Sequence, residues 1–257
     1  MSAARIEARA DGVRLLTLDR PPVNALGLEL VSDLEQALAA LAADAEARCL
    51  VVRSGGRHFC AGADLKERKG MSLDEVRAFV PRIGGVCSAL AALPYPTIAA
   101  VAGTAAGGGC ELALACDLRV LADDASIGLR ETALAILPGA GGTQRLPRLI
   151  GPARAKRWIF AAELHTAERA REDGVADRVV PPDALEAEAL RLAGTIAENG
   201  PVAVRLAKRA IDSGADLPLS AALALEWSLY QETLSTADRL EALAAFAEKR
   251  APRFRGR

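Results

Sequence analysis

A run of three glycines, Gly107 to Gly109, constrains the fold of this 257-residue chain more than any other feature. The run follows a short apolar stretch, Thr97 to Val101, and precedes an apolar segment whose only charge is Glu111. Glycine lets the backbone approach a ligand closely, and a helix that begins at such a run directs unpaired N–H groups toward that ligand. We therefore expect this loop to receive an anion or a developing oxyanion.

The surroundings of Glu111 indicate a reactive carboxylate. No charged residue occurs from Ile83 to Cys110, so this carboxylate is expected to be poorly solvated. A structural interpretation fits the same stretch, in which the glycines serve close packing and the glutamate interacts with the helix dipole. Both interpretations stay open on this stretch alone.

Composition excludes several classes of protein. The chain is 51% hydrophobic and 25% charged, with a net charge of -1, which indicates a soluble globular protein with no global field for nucleic acid or an anionic membrane. Aromatic residues make up only 4%, which favours an α-rich protein over an all-β sandwich. The length suits one large domain, alone or with a smaller appendage.

The cysteines give no sign of a metal site or a disulfide framework. They show no CxxC spacing and no nearby histidine pair, so we expect five buried, reduced thiols and a cytoplasmic protein. We also find no pattern of a secretion signal or a membrane-spanning segment, and expect no membrane partner. The cysteines are Cys49, Cys60, Cys87, Cys110 and Cys116.

Strand and helix signals alternate through the first 150 residues, which predicts an α/β fold. Asn24 is a possible helix cap after a proline turn, and Ser72 with Glu75 forms a capping-box pattern. The predicted strands are Val13–Asp19, Cys49–Arg53, Thr97–Val101 and Leu118–Leu121, and the predicted helices in this part are Leu28–Ala45 and Ser72–Leu93.

The sequence pattern predicts helices over nearly all residues after Pro152, with one further strand expected in Val175–Val180. The pattern changes at Gly200-Pro201, and we expect residues 1–199 to form a core domain and residues 200–257 a helical oligomerisation region. That region is too small to bury its own apolar faces and is expected to pack on a neighbouring subunit.

Common nucleotide and hydrolase motifs are absent. The spacing of Gly103, Ala105 and Gly108 gives G-x-A-x-x-G, and the following helix has room for only about seven residues, so the dinucleotide fingerprint fails. No P-loop lysine motif and no G-x-S-x-G motif occurs. His58 and His165 have no partner signal, and we interpret both as structural or surface histidines.

Two small-residue loops and two glutamates remain as candidate site residues. The loops around Ala63 and Gly108 can offer N–H donors, and Glu111 and Glu131 lie in apolar context. Two donors can hold a carbonyl oxygen that becomes an enolate oxygen, while two carboxylates can share the proton transfers of water addition. These residues make a coherent candidate active site.

At these residues the chain resembles the crotonase, or enoyl-CoA hydratase, superfamily. The resemblance covers essentially the whole sequence and rests on FCAGADLKER (59–68), AGGGCELALACD (106–117), ETALAILPGAGGTQRLPRLIG (131–151) and AFAEKR (245–250). Within the superfamily the sequence looks most similar to the methylglutaconyl-CoA hydratase branch, whose human member also binds AU-rich RNA. That likeness rests on GADLKER, PVAVRLAKRAI (201–211) and STADRLEALAAFAEKRAPRF (235–254).

The resemblance implies an α/β fold of the crotonase-like (ClpP/crotonase) type, a spiral of ββα repeats with a C-terminal helical trimerisation region. It implies a homotrimer or a dimer of trimers. It also implies a 2-enoyl-CoA thioester as substrate, with coenzyme A present only as part of that substrate and with no required cofactor and no metal.

Carried over motif by motif, the resemblance implies specific site residues. Ala63 and Gly108 would supply the oxyanion N–H groups, Glu111 and Glu131 would be the catalytic acid and base, and Gly139 would help to place the water. Coenzyme A would contact one loop of its own subunit and two residues of another subunit. The loop residues are Ala61, Ala63, Asp64, Leu65 and Lys66, and the residues from the other subunit are Phe246 and Lys249.

The implied activity is addition of water across the double bond of a 2-enoyl-CoA to give the 3-hydroxyacyl-CoA, with a branched substrate such as 3-methylglutaconyl-CoA as one option. A double-bond isomerase on the same fold is the alternative. An RNA-binding protein is a third class, and we do not expect it. The segment that matches the RNA-contacting helix, residues 28–47, carries five acidic residues and no lysine or arginine.

Overall fold

The strands found in the described part of the chain are distributed over two sheets. The computed structural model describes residues 2–257. The strands are β1 (Ala4–Ala8), β2 (Val13–Leu18), β3 (Cys49–Ser54), β4 (Thr97–Val101), β5 (Thr104–Ala106), β6 (Leu118–Ala122), β7 (Ser126–Gly128), β8 (His165–Thr166) and β9 (Arg178–Val180).

The helices outnumber the strands and become continuous toward the C-terminus. They are α1 (Leu28–Ala42), α2 (Leu65–Lys69), α3 (Leu73–Ala91), α4 (Gly108–Ala115), α5 (Gly142–Ile150), α6 (Pro152–Ala161), α7 (Ala167–Asp173), α8 (Leu185–Ala197), α9 (Pro201–Gly214), α10 (Leu219–Leu234) and α11 (Ala237–Glu248). Short 3₁₀ turns occupy Glu131–Leu134 and Pro182–Ala184.

The larger sheet has six strands in the order β1-β2-β3-β4-β6-β9, and only the β1–β2 pair is antiparallel. All residues of β2 and of β4 are buried, as expected for parallel strands covered on both faces. Helix α8 packs against β3, β4 and β6, while α3 lies against α1 and α4. The predicted α/β arrangement is confirmed.

A second, three-stranded sheet has the order β5-β7-β8. Each of its first two strands follows a strand of the large sheet after a break of a few residues: β5 follows β4, and β7 follows β6. Cys60, downstream of β3, takes the equivalent place because it forms an isolated parallel bridge with Ala105. The chain therefore repeats a unit of long strand, short second strand and helix, and three such units stack along both sheets.

Two cap predictions have opposite outcomes. The capping box of α3 is confirmed, since the Ser72 hydroxyl accepts the Glu75 N–H and the Glu75 carboxylate accepts the Ser72 N–H. The prediction that Asn24 caps a helix is wrong, because α1 begins after Gly27. Asn24 is buried with φ 51°, and its amide instead donates to loop residues 58 and 59.

The last three helices, α9 to α11, leave large apolar side chains in solvent. Leu219 is 75% exposed, Trp227 60% and Phe246 87%, values more typical of a surface that another subunit covers. Within residues 2–257, no helix combines the length and the apolar character that crossing a membrane requires.

Candidate active site

The loop Cys60–Ala63 is held between two other segments by backbone hydrogen bonds. Cys60 pairs with β5, and Ala63 forms a parallel bridge with Leu26. That bridge uses the carbonyl of Gly62 and the N–H of Asp64, each 2.8 to 3.1 Å from its Leu26 partner. The Ala63 N–H is left out of the bridge, and no residue in 2–257 accepts a hydrogen bond from it.

The second N–H donor is Gly108, the first residue of α4. Its N–H lies in the first turn, where an α-helix has no internal acceptor, and none is found elsewhere in the described chain. Gly62, at φ +88°, brings the two donors together: a Cβ there would lie 2.6 Å from the Ala106 oxygen and 3.2 Å from the Gly108 nitrogen. Only glycine allows this approach, so the two predicted donors are neighbours.

Glu111 is buried one turn into α4, with 2% of its surface exposed. Its Oε1 accepts hydrogen bonds from the N–H groups of Ala140 at 2.7 Å and Gly142 at 2.8 Å. Burial raises the pKa of this carboxyl, while the two N–H donors and Arg145 oppose the increase. With Oε1 held in this way, Oε2 is the oxygen available to a water molecule in the cavity.

Glu131 begins the 3₁₀ turn after β7 and is also buried. Burial, followed by the charge of Glu111, raises its pKa to about 7. Its Oε2 is buried without a hydrogen-bond partner among the described residues. The carboxylate lies over Gly107, where a Cβ would be 3.1 Å from Oε1. A carboxyl in this setting can hold a proton near neutral pH and release it to a substrate.

These groups surround one cavity of about 710 Å³. The repeat architecture explains their convergence: Ala63, Gly108 and Glu131 each lie two or three residues beyond a strand or bridge residue of the second sheet. Glu111 and Gly139 line the same cavity. The remaining wall is mostly apolar and includes Val80, Ile83, Leu134, Ile136, Leu137 and Leu164.

The residues expected to contact coenzyme A are divided between two places. Ala61, Ala63 and Leu65 line the cavity, and Lys66 lies exposed beside them in α2. The Asp64 carboxylate caps α2 by accepting the N–H groups of residues 66 and 67, and the contact of the Asp64 backbone with coenzyme A stays a prediction. Phe246 and Lys249 are not among the described residues that line the cavity of their own chain. Their contact with coenzyme A from another subunit stays a prediction.

Several site residues carried no recognisable signal in the sequence. The N–H groups of Ala140 and Gly142 hold Glu111, but a loop of small residues does not reveal which distant carboxylate its N–H groups will bind. Arg68 and Arg130 line the cavity, and neither side chain has an acidic partner within residues 2–257. The proximity of Arg68 to Asp64 and Glu67 along the sequence suggests local pairing, yet both acids pair with Arg20 instead.

Comparison with known proteins decides the family. The model of the family described as "Enoyl-CoA hydratase/isomerase" matches residues 8–257. The chain belongs to this enoyl-CoA hydratase/isomerase family. The predicted resemblance is thus confirmed.

Individual members of the family align with nearly the full length of this chain. A mouse protein named enoyl-CoA hydratase domain-containing protein 2, mitochondrial, is 49% identical and aligns with 96% of this chain and 85% of its own length. Human methylglutaconyl-CoA hydratase, mitochondrial, is 47% identical over 98% of this chain and 76% of its own. The likeness to the methylglutaconyl-CoA hydratases is confirmed, but proteins with another name match equally well.

The fold class is confirmed by solved structures. A crystal structure of an enoyl-CoA hydratase from Bacillus anthracis superposes with a TM-score of 0.97 at 45% identity, covering 99% of this chain and 100% of that one. The chain therefore has the crotonase fold, and members of its family act on coenzyme A thioesters.

Proposed function

We propose that this protein adds water across the double bond of a 2-enoyl-CoA to give the 3-hydroxyacyl-CoA. One observation carries the proposal: two buried carboxylates and two N–H groups without acceptors face the same cavity. A conjugated thioester gathers negative charge on its oxygen when a nucleophile attacks C3. Preorganised N–H donors stabilise such charge, and the loss of one donor typically costs about 3 to 4 kcal/mol.

Different environments suit the two carboxylates to different tasks. Glu111 receives two backbone hydrogen bonds, which favour its ionised form and fix its orientation. In the proposed reaction it accepts a proton from water while the water oxygen bonds to C3. Glu131, whose pKa is raised to about 7, delivers a proton to C2 from its protonated form. The π electrons of the double bond pass through the enolate to the new C2–H bond.

Isomerisation of a 3-enoyl-CoA is the alternative reaction on the same site. It moves one proton between two carbons and needs neither water nor a second carboxylate. The placement of two carboxylates on one cavity favours hydration.

We further propose that the substrate has a carboxylate in its acyl group, as 3-methylglutaconyl-CoA does. Arg68 and Arg130 support it, because both line the cavity without an acidic partner in residues 2–257. A guanidinium group presents paired N–H donors that match a carboxylate.

A substrate panel tests the activity and the substrate class together. We expect the wild type to hydrate crotonyl-CoA, 2-hexenoyl-CoA and 3-methylglutaconyl-CoA, with the highest kcat/KM for the last. Arg68→Met and Arg130→Met should each reduce kcat/KM about tenfold for 3-methylglutaconyl-CoA and leave the straight-chain substrates nearly unchanged. An equal loss on all three substrates would assign the arginines to coenzyme A itself. Faster turnover of 3-hexenoyl-CoA than of any 2-enoyl-CoA would favour the isomerase.

Assembly and location complete the proposal. A trimer, or a dimer of trimers, is supported by the exposed apolar side chains of α9 to α11 and would bring Phe246 and Lys249 of one subunit near the cavity of the next. The proposed division into a core domain, residues 1–199, and an oligomerisation region, residues 200–257, rests on the same exposed apolar side chains.

The cytoplasm stays a predicted location, since the named relatives include mitochondrial proteins. The acidic character of α1 speaks against a nucleic-acid partner.

A further inference from the structure

We infer that Arg20 is a positioning residue for the reaction, which holds the loop that carries the Ala63 N–H at the distance from Gly108 that an oxyanion requires. The inference rests on the proposed function. Arg20 is not among the residues that line the cavity, so any effect on catalysis must pass through the loop.

The segment from Arg20 to Leu26 runs along the loop from His58 to Asp64 and is hydrogen-bonded to it. We call this segment the splint. Its backbone contributes three hydrogen bonds: Val23 accepts the Ala61 N–H at 3.0 Å, and Leu26 bonds with Gly62 and Asp64 at 2.8 and 3.1 Å. Its Asn24 amide adds bonds of 3.0 and 3.1 Å to the carbonyls of His58 and Phe59. The loop therefore takes its shape from this splint.

Arg20 ties the splint to the far end of the loop. Its guanidinium donates to the Ala25 carbonyl at 2.9 Å, to Asp64 Oδ2 at 2.8 Å and to Glu67 Oε1 at 2.6 Å. The Asn24 side chain in turn accepts the Arg20 N–H at 2.8 Å. One partly buried side chain, 21% exposed, thus joins the start of the splint to the residue that follows Ala63.

The two carboxylates that accept hydrogen bonds from Arg20, those of Asp64 and Glu67, also organise the helices beside the loop, and Glu29 Oε2 lies 3.8 Å from the same guanidinium. Asp64 caps α2, and the hydrogen bond from Arg20 holds the pKa of this carboxyl below its usual range. Glu67 Oε2 accepts the N–H of Leu28, the first residue of α1, at 2.8 Å. Loss of the guanidinium would leave two facing carboxylates without their shared cation. Their repulsion would displace the loop next to Ala63.

The test compares Arg20→Met and Arg20→Lys with a matched control, Arg82→Met. Arg82 forms an arginine–carboxylate ion pair with both oxygens of Glu35, at 2.9 and 2.7 Å. Among the described residues it neither lines the cavity nor hydrogen-bonds to the loop from His58 to Asp64. The assays are kcat and KM with crotonyl-CoA, the melting temperature, and the absorbance shift of bound 4-(dimethylamino)cinnamoyl-CoA. That chromophore absorbs further to the red when hydrogen bonds polarise its thioester oxygen, so it reports on the combined hydrogen bonding from the N–H groups of Ala63 and Gly108.

A displacement of about 1 Å in a catalytic group can cost on the order of 100-fold in rate. We expect Arg20→Met to lower kcat about 10- to 100-fold, to change KM less than about threefold, and to reduce the red shift. Arg20→Lys should give intermediate values, because one ammonium group cannot bridge two carboxylates with fork geometry. Arg82→Met should keep the wild-type kcat and red shift even if its melting temperature falls.

Wild-type kcat and red shift in Arg20→Met would overturn the inference. If Arg20→Met does not fold, Arg20→Lys decides by the same two assays. A wild type that hydrates none of the enoyl-CoA substrates would contradict the proposed function instead. Normal hydration by the wild type and unaffected Arg20 variants would contradict only the role of Arg20.

Discussion

Glu131 destabilises the folded protein when it is ionised, because its burial disfavours the charged form. Its pKa is raised from 4.5 to about 7 by burial and by Glu111, so the folded protein binds a proton there more tightly than the unfolded chain does. Between these two pKa values stability falls as pH rises, because the native state must give up the proton that favours it. The carboxyl is therefore most unfavourable to folding at and above neutral pH.

Replacing this carboxyl by a neutral isostere should stabilise the protein in a pH-dependent way. We expect Glu131→Gln to melt above the wild type at pH 8, with a gain on the order of 3 kcal/mol in the free energy of unfolding. The gain should shrink toward zero as pH falls to about 4.5. Thermal melts at equal protein concentration across this range would measure it. Glu198→Gln, at an exposed position, is the control and should melt like the wild type at every pH. A gain that does not depend on pH would contradict the assignment.

Gly62 and Gly174 share a backbone conformation but differ in their surroundings. Gly62 has φ +88° and Gly174 has φ +89°, but a Cβ meets the Ala106 oxygen at 2.6 Å in the first case and nothing within 4 Å in the second. Alanine at either position should cost about 1 to 2 kcal/mol through backbone strain. Only Gly62→Ala should also lower kcat, by about 100-fold, because it separates the two N–H donors. Equal kcat values for the two variants, measured beside their melting temperatures, would refute this role for Gly62.

At the scale of elements, sequence patterns found the long apolar strands and the capped helices but missed the second sheet. Strands β5, β7 and β8 have two or three residues each, too few for any alternation to be recognised. Strand β1 was missed because its four residues after Ala4 are exposed and two of them are charged. The second sheet matters most for function, since Gly108 and Glu131 follow the ends of β5 and β7, and Ala63 follows the Cys60 bridge to β5, so that all three reach one cavity.

In the candidate site, too, residues could be predicted only where their signal lies within a short stretch of sequence. Glu111 and Glu131 could be predicted because a lone carboxylate in an apolar segment is unusual within a short window. The contacts of Arg20 could not, since Asp64 and Glu67 lie 44 and 47 residues away in the sequence. Asn24 was mistaken for a helix cap for this reason: its partners, His58 and Phe59, belong to a distant loop.

At the scale of the whole molecule, helix α10 presents an apolar face that the described chain does not cover. Leu219, Leu223 and Trp227 are 53 to 75% exposed and share helical spacing. Because these side chains are already partly covered, burying the remainder between subunits would contribute about 1 to 2 kcal/mol each. We therefore expect this face to form the contact between subunits.

A charge on this face should disrupt the assembly and the activity together. We expect Leu223→Glu combined with Trp227→Glu to convert trimers or hexamers into smaller species in light scattering. Turnover of crotonyl-CoA should fall, because the neighbour's Phe246 and Lys249 would be lost from the site. Ser228→Glu, at an exposed position of α10 that lies about 140° around the helix from Leu223, should change neither property. A wild type that is monomeric and fully active would contradict the expected assembly.

If Glu111 takes the proton from water and Glu131 protonates C2 in the same hydration, glutamine at either position should impair the reaction, and single and double glutamine variants measure this. The measurement follows the loss of the conjugated enoyl-thioester absorbance of crotonyl-CoA and of 3-methylglutaconyl-CoA. We predict about 100- to 10,000-fold slower hydration for Glu111→Gln and for Glu131→Gln, and a double variant far less impaired than the product of the two losses. A nearly silent single variant, or a wild type that leaves the absorbance of both substrates unchanged, would contradict hydration by this pair.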